Sequence, residues 1–287
     1  MAAPRVSIVM PCYQQRDFVR EAVDSVLSQR EVDVELLVMD PGSTDGSRAA
    51  LRDRKREYGD RLILCFESDR GQSDALNRGF ARARGDILGW VNSDDRLVAG
   101  ALRTTVARLG DRETPAWLYG RAAMIDASGQ RVLRSISAYK SWRGRSFSRW
   151  KLLTENFIPQ TAVFWNRAMW RETGGLDVSR HLDMDYDLWF RFARVADPCV
   201  VPAELGAFRV HADAKGSRHT VEQLDAAYAT ARHYAGGLGA RGALALGLHR
   251  AFSLRTRLAY RWLKPKHAVG ASRKAVKGAP VPFPSPR

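Results

Sequence analysis

The chain has 287 residues, 45% hydrophobic and 27% charged, with a formal net charge of +15; that is an ordinary globular balance with enough apolar material for one large core. Cys12, Cys65 and Cys199 are odd in number and far apart, which argues against a disulfide framework or a cysteine metal knuckle and for a reducing compartment. No apolar stretch approaches the roughly 20 residues that span a bilayer.

Residues 6–10 read as a strand and residues 17–29 as a helix, with Phe18, Ala22, Val26 and Leu27 along one face. Residues 34–39 form the next strand, and a helix opens at Ser43, Thr44 and Asp45, three capping residues in a row. A strand at 61–66, a helix at 73–84 and a strand at 87–91 continue the series, with another helix from near Leu97. This βαβαβαβ order predicts a parallel sheet covered on both faces. After about Thr114 the rhythm becomes irregular. Residues 117–125 and 131–136 flank Asp126-Ala-Ser-Gly-Gln130 and read as a hairpin, 142–150 is basic and aromatic, 161–165 is a strand, and 184–195 is an amphipathic helix. Beyond Lys215 the chain turns helical, with apolar residues through 244–263. Pro265 is expected to end that helix, and the proline-rich segment 279–287 to be disordered. The expected organisation is one domain over 1–218 and a basic helical extension over 219–287.

Charge is placed unevenly. After Asp225 there is no acidic residue, whereas twelve arginines and lysines follow it. Such a block suits anionic lipid headgroups or nucleic acid; no nucleic-acid motif accompanies it, so no nucleic-acid partner is expected. The first residues lack the long apolar region of a secretory signal. The expected location is therefore cytoplasmic, with peripheral attachment to the inner face of the membrane through the basic end.

Four segments fall at the carboxyl ends of the four predicted strands. They are Val9-Met-Pro11-Cys-Tyr13, Val38-Met-Asp40-Pro-Gly-Ser-Thr-Asp-Gly-Ser47, Asp69-Arg-Gly-Gln-Ser-Asp74-Ala-Leu-Asn77-Arg-Gly79 and Asn92-Ser93-Asp94-Asp95. In an open α/β sheet the crevice beyond those ends collects ligands, and carboxylates there suit Mg²⁺ or Mn²⁺ bridging phosphate oxygens. Asn92-Ser-Asp-Asp95 alone is equally good helix-capping chemistry. Ile158-Pro-Gln160, Gly174-Gly-Leu-Asp177, Met184-Asp185-Tyr-Asp-Leu-Trp-Phe-Arg191 and Phe208-Arg-Val-His211 follow in order. Taken together, these segments closely resemble the family 2 glycosyltransferases of the GT-A fold, over roughly the first 215 residues.

The resemblance implies a fold, a reaction and roles. The fold is α/β: a Rossmann-like, mostly parallel GT-A sheet with a mixed acceptor-side half and the basic helical extension. Asp40 matches the aspartate that hydrogen-bonds the nucleotide base, usually uracil, and Pro11, Tyr13, Asp69, Asp74, Asn77 and Ser93 fall in the nucleotide-binding motifs. For Asp69 and Asp74, capping the helix near Ser73 is the plain alternative. Asp94 matches the last aspartate of the Asp-X-Asp metal motif, with Asn92 where the first aspartate would be, and His211 matches a second metal or diphosphate ligand. The implied cofactor is Mn²⁺ or Mg²⁺, a mixed Asp and His pair favouring Mn²⁺ because imidazole is the softer donor. Asp185 matches the base that takes the acceptor's proton in an inverting displacement.

Gln160 and Trp150 fall on the acceptor side. Trp142, Phe147, Trp150 and Trp165 are candidates for an aromatic acceptor wall, although Trp165, on a strand, reads better as core. Arg143, Arg145 and Arg149 among them suit a diphosphate-lipid acceptor. Asp45 and Asp183 read as helix caps, and Asp187 with Arg191 as a surface pair four residues apart. A Gln-X-X-Arg-Trp motif and membrane helices, which mark the processive synthases, are absent, so a single sugar is expected per encounter.

The expected function is transfer of one sugar from a nucleotide diphosphate, UDP first, to a glycan or lipid-linked acceptor. The alternatives are a degenerate relative that binds nucleotide sugar without reacting, or a nucleotidyltransferase. The latter normally has a Gly- and Lys-rich loop after the first strand, and Pro11-Cys-Tyr-Gln-Gln-Arg16 has neither residue. A dehydrogenase would need Gly-X-Gly-X-X-Gly there, which is also missing.

Overall fold

Four apolar runs, buried along most of their length, make the centre of the sheet: β1 (Val6–Pro11), β2 (Val34–Met39), β3 (Leu62–Cys65) and β4 (Ile87–Trp90). A computed structural model describes residues 5–110, 113–214 and 219–267, those from 259 onward by backbone alone. The sheet has eight strands in the order β3-β2-β1-β4-β7-β6-β8-β5, where β5 is Arg96–Leu97, β6 Trp117–Ile125, β7 Val163–Asn166 and β8 Cys199–Arg209. β3, β2, β1 and β4 are mutually parallel, whereas β7 runs antiparallel between β4 and β6. The parallel register pairs Pro11 with Met39, Met39 with Cys65, and Val9 with Trp90. Their carboxyl ends therefore lie side by side, and the loops that follow them share one edge.

Helices cover both faces. α1 (Val19–Leu27) buries Val19, Ala22, Val23, Val26 and Leu27, one stripe at helical spacing. With α2 (Ser47–Tyr58) and α4 (Ala101–Leu109) it packs on the side chains of Val6, Ile8, Met10, Leu36 and Val38. The other face, carrying Val9, Leu37, Leu88 and Trp90, is covered by α3 (Gln72–Arg82) and α8 (Met184–Val195). α3 approaches β1 closely because Gly79 lacks a Cβ; one added there would lie 2.4 Å from Val9 Cγ1. α8 is buried nearly all round, with Trp189 stacked on Trp117 at 5.9 Å.

Three sequence expectations need correction. The second arm of the predicted hairpin, residues 131–136, forms only the bridge Ile125–Arg131, and the chain turns into α5 (Arg134–Arg143). β7 leaves the other edge of β6 free beyond Tyr119, but there Val132 N–H donates to the Met124 carbonyl at 2.9 Å and the Met124 N–H is taken by Ser137 Oγ of α5 at 3.2 Å, so the ladder stops after one bridge. The helix expected near Leu97 begins at Ala101, because Arg96 and Leu97 pair with β8. Pro265 does not end the last helix, which runs to His267. The expected proline-rich disorder at 279–287 lies outside the described residues.

The remaining helices build one flank. α6 (Arg149–Thr154) and α7 (Arg167–Thr173) lead up to and follow β7, while α9 (Thr220–Tyr234) and α10 (Gly239–His267) close on α6 and α8. Ala231, Ala235 and Ala245 of these last two helices join the core that holds Trp189 and Phe192. Polar anchors accompany them: Tyr234 Oη donates to Asp187 Oδ1 at 2.9 Å, and Thr230 Oγ1 donates to Asp183 Oδ2. Thr230 is fully buried, so Thr230→Val leaves a buried carboxylate with one donor fewer. The expected cost is about 1–3 kcal/mol of unfolding free energy, read as a lowered denaturant midpoint. An unchanged midpoint would show that α9 docks independently of that bond.

Candidate active site

The first two strand-end loops are latched together. Gln14, in the left-handed region at φ 56°, donates from its N–H to Ser43 Oγ at 2.9 Å, while its Oε1 accepts from the Thr44 and Asp45 N–H groups at 3.2 and 3.1 Å. Asp45 closes the turn before α2 by accepting from Ser47 N–H at 2.9 Å and from Arg16 N–H at 2.9 Å. This frame holds Asp40, which is 1% exposed. One of its oxygens, Oδ1, accepts from Gly42 and Ser43 N–H and from Arg48 Nε, at 2.9, 2.8 and 2.9 Å. Its other oxygen, Oδ2, is buried with no nitrogen or oxygen donor. A buried carboxylate oxygen without a donor is costly, and an N–H of a ligand base can supply one. Pro11 ends β1, and Tyr13 beside it is 55% exposed.

Cys12 joins this loop to the fourth. Its thiol is pushed up to about 12 by burial and then by the charge of Asp40, against the hydrogen bond of Ser93. It is thus a protonated filler on which Asp40 and Ser93 both rest, and Asp40 and the Asn92–Asp95 turn are neighbours.

That turn is tightly held. Asn92 Oδ1 accepts from Trp90 Nε1 at 2.8 Å and Gln72 Nε2 at 2.9 Å; its Nδ2 donates to Asp95 Oδ2 at 3.1 Å and Gln160 Oε1 at 3.2 Å. Gln160 Nε2 in turn donates to the Trp90 carbonyl at 2.7 Å. Gln160 therefore braces the turn itself, a role the sequence reading did not foresee. Asp95 is 1% exposed and accepts from Arg209 N–H at 2.8 Å and Thr161 Oγ1 at 3.0 Å. Burial, and then the charge of Asp94, push its carboxyl up to about 8.

Arg209, itself 1% exposed, is the hub that sequence reasoning missed. It donates from Nε to the Asp94 carbonyl at 2.7 Å and from Nη1 to the Asp126 carbonyl at 2.9 Å, pairs with Glu21 through Nη2, and lies over the Phe18 ring with its guanidinium carbon 4.9 Å from the centroid. Only its place inside Phe-Arg-Val-His hinted at a role.

This scaffold presents Asp94 to His211, with Asp94 Oδ2 3.1 Å from His211 Nε2. The His211 ring packs against Phe18 at 4.7 Å, and its side chain is 8% exposed against 17% for Asp94. Two donors at right angles on a cation, each about 2.1 Å from it, lie about 3 Å apart, so the pair fits two adjacent coordination positions. Among the described residues no group of three or more His, Cys, Asp or Glu side chains could hold a metal ion. The pair would have to share a cation with ligand oxygens or water.

The third loop places Asp69 and α3. Asp69 Oδ1 accepts from Gly71 N–H at 2.9 Å, and its carboxyl is raised chiefly by burial. Asp74 has Arg70 Nη2 at 3.1 Å and Arg78 Nε at 3.2 Å, and despite its burial these partners hold its carboxyl low. Asn77 Nδ2 donates to the Leu176 carbonyl at 2.8 Å and its Oδ1 accepts from Leu176 N–H at 2.9 Å, fastening the Gly174–Asp177 segment to α3. Both Asp74 and Asn77 are thus engaged by the protein's own groups.

Asp185 is carried on the first turn of α8. Ser73 Oγ, at the start of α3, contacts the Arg180 carbonyl at 3.1 Å and Met184 Sδ at 2.9 Å, while the adjacent Gln72 bonds Asn92. The first turn of α3 therefore touches the Asn92–Asp95 turn on one side and the residue before Asp185 on the other. Asp185 is half-buried; its Oδ1 accepts from Tyr186 N–H at 2.7 Å, and Oδ2 faces Asn156 Nδ2 at 3.5 Å. Burial raises its carboxyl above the usual range, opposed by those two donors and by the charge of Lys140, with Asp183 adding to the rise.

The neighbouring acids divide as follows. Asp183 occupies the N-cap position of α8, but its carboxylate turns away from the helix to Arg180 Nη1 at 2.8 Å and to Thr230. Asp187 pairs with Arg191 at 2.9 Å, as the spacing predicted, but not at the surface: it is buried and also faces Tyr234 and Arg180. Of the aromatic candidates, Trp165 is core at 1% exposed, and Phe147 packs edge-on against Trp117 at 5.9 Å. Trp165 therefore cannot form an acceptor wall, and Phe147, partly buried, leans on the core. Trp150 and Trp142 remain on the surface at 37% and 58% exposure.

Comparison with known proteins places the family and the fold. Residues 7–172 match the profile of glycosyl transferase family 2. An uncharacterised glycosyltransferase of Rickettsia typhi is 27% identical over 230 residues, 78% of this chain and 69% of its own length. A PGL/p-HBAD biosynthesis glycosyltransferase of Mycobacterium bovis is 29% identical over 202 residues, 70% of this chain and 73% of the relative. Among solved structures, the mannosyltransferase PcManGT of Pyrobaculum calidifontis, in complex with GDP-Man and Mn²⁺, superposes with a TM-score of 0.63 at 19% identity over 90% of this chain and 76% of that one. S. aureus TarS 1-349 in complex with UDP-GlcNAc gives 0.61 at 14% identity over 80% of this chain, which spans 65% of the TarS chain. These two likenesses establish the GT-A fold, and the profile match over more than half the sequence establishes the rest: the chain is a glycosyltransferase and belongs to glycosyl transferase family 2.

Proposed function

We propose that this glycosyltransferase moves a single sugar, with inversion, from a nucleotide diphosphate donor to an acceptor hydroxyl. UDP is the first nucleotide to test, and a glycan or lipid-linked molecule is the acceptor class. The observation that supports the reading is that the first turn of α3 touches both Asn92, two residues before Asp94, and Met184, the residue before Asp185; the reading takes the Asp94–His211 pair and Asp185 to serve one cleft. In this reading the base of the donor docks at Asp40, whose unpartnered Oδ2 accepts the ring N–H. Pro11, Tyr13, Asp69 and Ser93 line the nucleotide's path. Asp94 and His211 would hold Mn²⁺ or Mg²⁺, which when bound neutralises charge on the diphosphate leaving group. Asn92 takes no part in holding it, since its amide is consumed in bracing the turn.

Asp185 takes the acceptor proton. A base must be ionised to do so, and burial makes that harder, so the rate is expected to fall on acidification earlier than an ordinary carboxylate would dictate. The acid limb of kcat/KM against pH should have its midpoint above 3.8, the ordinary value. The linkage has the opposite sign for stability. A carboxyl raised on folding stabilises the fold at low pH, and that contribution is lost as pH rises through the raised value. Asp185→Asn should therefore be at least as stable as the parent at neutral pH, checked by thermal unfolding.

Screening nucleotide sugars for Mn²⁺-dependent transfer or hydrolysis tests the function. Binding without turnover under every donor would favour a degenerate, non-reacting relative. The C-terminal basic block suits an anionic membrane surface as a further partner. Among the described residues no helix is long and apolar enough to cross a membrane.

A further inference from the structure

The outward face of α10 is apolar and exposed among the described residues. Leu244, Gly247, Ala251, Leu254 and Leu258 are all exposed and fall at helical spacing on one stripe, Leu244 at 60%, Leu254 at 58% and Leu258 at 48%. The opposite face is fixed: Ala245 and His249 are buried, and His249 Nδ1 lies 3.0 Å from the Leu153 carbonyl of α6. The leucines are thus held outward by packing behind them. Arginines flank the stripe and are themselves braced, Arg250 4.7 Å over the Tyr228 ring and Arg255 4.4 Å over Tyr139 of α5. Tyr139 in turn lies 6.1 Å from Trp142, an exposed indole on α5.

We propose that this face, the leucine stripe of α10 with Trp142 beside it, docks on an anionic lipid bilayer and turns the Asp185 side of the cleft towards acceptors carried in that bilayer. An apolar stripe edged by arginines suits burial at the headgroup boundary, and tryptophan favours that depth. Charge chooses the occupant. No acidic residue follows Asp225, and Asp225 itself is paired with Arg257. A second copy of the chain would set arginines against arginines across a two-fold axis, whereas anionic headgroups complement them. Lys140, next to Tyr139 on α5, lies near enough to Asp185 for its charge to act on that carboxylate, so the docked helix leads directly to the base. The orientation towards the acceptor rests on the transferase reading; the docking does not.

The test is sedimentation of the full chain with vesicles of phosphatidylcholine, with or without phosphatidylglycerol, comparing the parent with Leu254→Ser/Leu258→Ser. The parent should bind only the anionic vesicles, and the double variant at least ~10-fold more weakly, with affinity for a nucleotide diphosphate unchanged in both. Equal vesicle binding by the two proteins overturns the proposal, as does a parent that ignores phosphatidylglycerol. A parent dimer that the double variant converts to monomer would assign the face to a second copy. Failure of the transferase reading would show separately, as absence of turnover with every nucleotide sugar while the vesicle result stood.

Discussion

Asp185→Asn is expected to lower kcat by about 10²–10⁴-fold, the range that a positioned general base contributes, while leaving donor affinity within about twofold. Asparagine keeps the size and the hydrogen-bonding edge of the side chain but cannot accept a proton from an attacking hydroxyl. Asp185 lies on the first turn of a helix whose register is fixed by Trp189 and Phe192 in the core and by Asp187 to Tyr234. The substitution should therefore leave the cleft in place. A loss of donor binding comparable to the loss of rate would show that Asp185 holds the donor and that some other group takes the proton.

The second large effect is expected at the cation. Asp94→Ala should weaken Mn²⁺-dependent binding of a nucleotide diphosphate by about 100-fold or more, because a pair reduced to His211 alone is a poor hard-ion site. The remaining affinity should be the same with and without chelator. Calorimetric titration in Mn²⁺ and in EDTA measures both quantities. A fall in affinity in EDTA as large as that in Mn²⁺ would mean that Asp94 supports the turn, not the cation.

The donor half of the fold was legible because its strands are buried on both faces and its helices each show one apolar stripe. Residues 6–10, 34–39 and 87–91 read as apolar runs, interrupted only by Ser7, Glu35 and Gly89 and bounded by turn residues, and the loops after them held the motifs. The acceptor half was not, for reasons of pairing. β8, the parallel partner of β6, is interrupted by Pro202, Glu204 and Gly206, residues that argue against a strand inside a sheet. Without β8 in view, residues 131–136 looked like the missing neighbour of β6. Short helices α5, α6 and α7 were hidden for a similar reason, since they bury few residues of their own.

Within the candidate site, the carboxylates could be proposed from sequence, and the groups that hold them could not. Asp95, Thr161, Gln160, Glu21 and Arg209 come from distant segments and meet only in the folded chain. No local spacing records such a meeting. Conversely, Asp74 and Asn77 stood in a nucleotide-binding motif, yet their polar atoms serve Arg70, Arg78 and Leu176. Motif membership put them beside the cleft without deciding which way they face.

The most direct measurement is a crystal structure of the full chain with a nucleotide diphosphate and Mn²⁺. The account predicts the base hydrogen-bonded to Asp40 Oδ2, the cation on Asp94 and His211, and the diphosphate's leaving oxygen pointing across the cleft to Asp185. A nucleotide bound with its base elsewhere, or with Asp185 outside the cleft that holds the diphosphate, would contradict it.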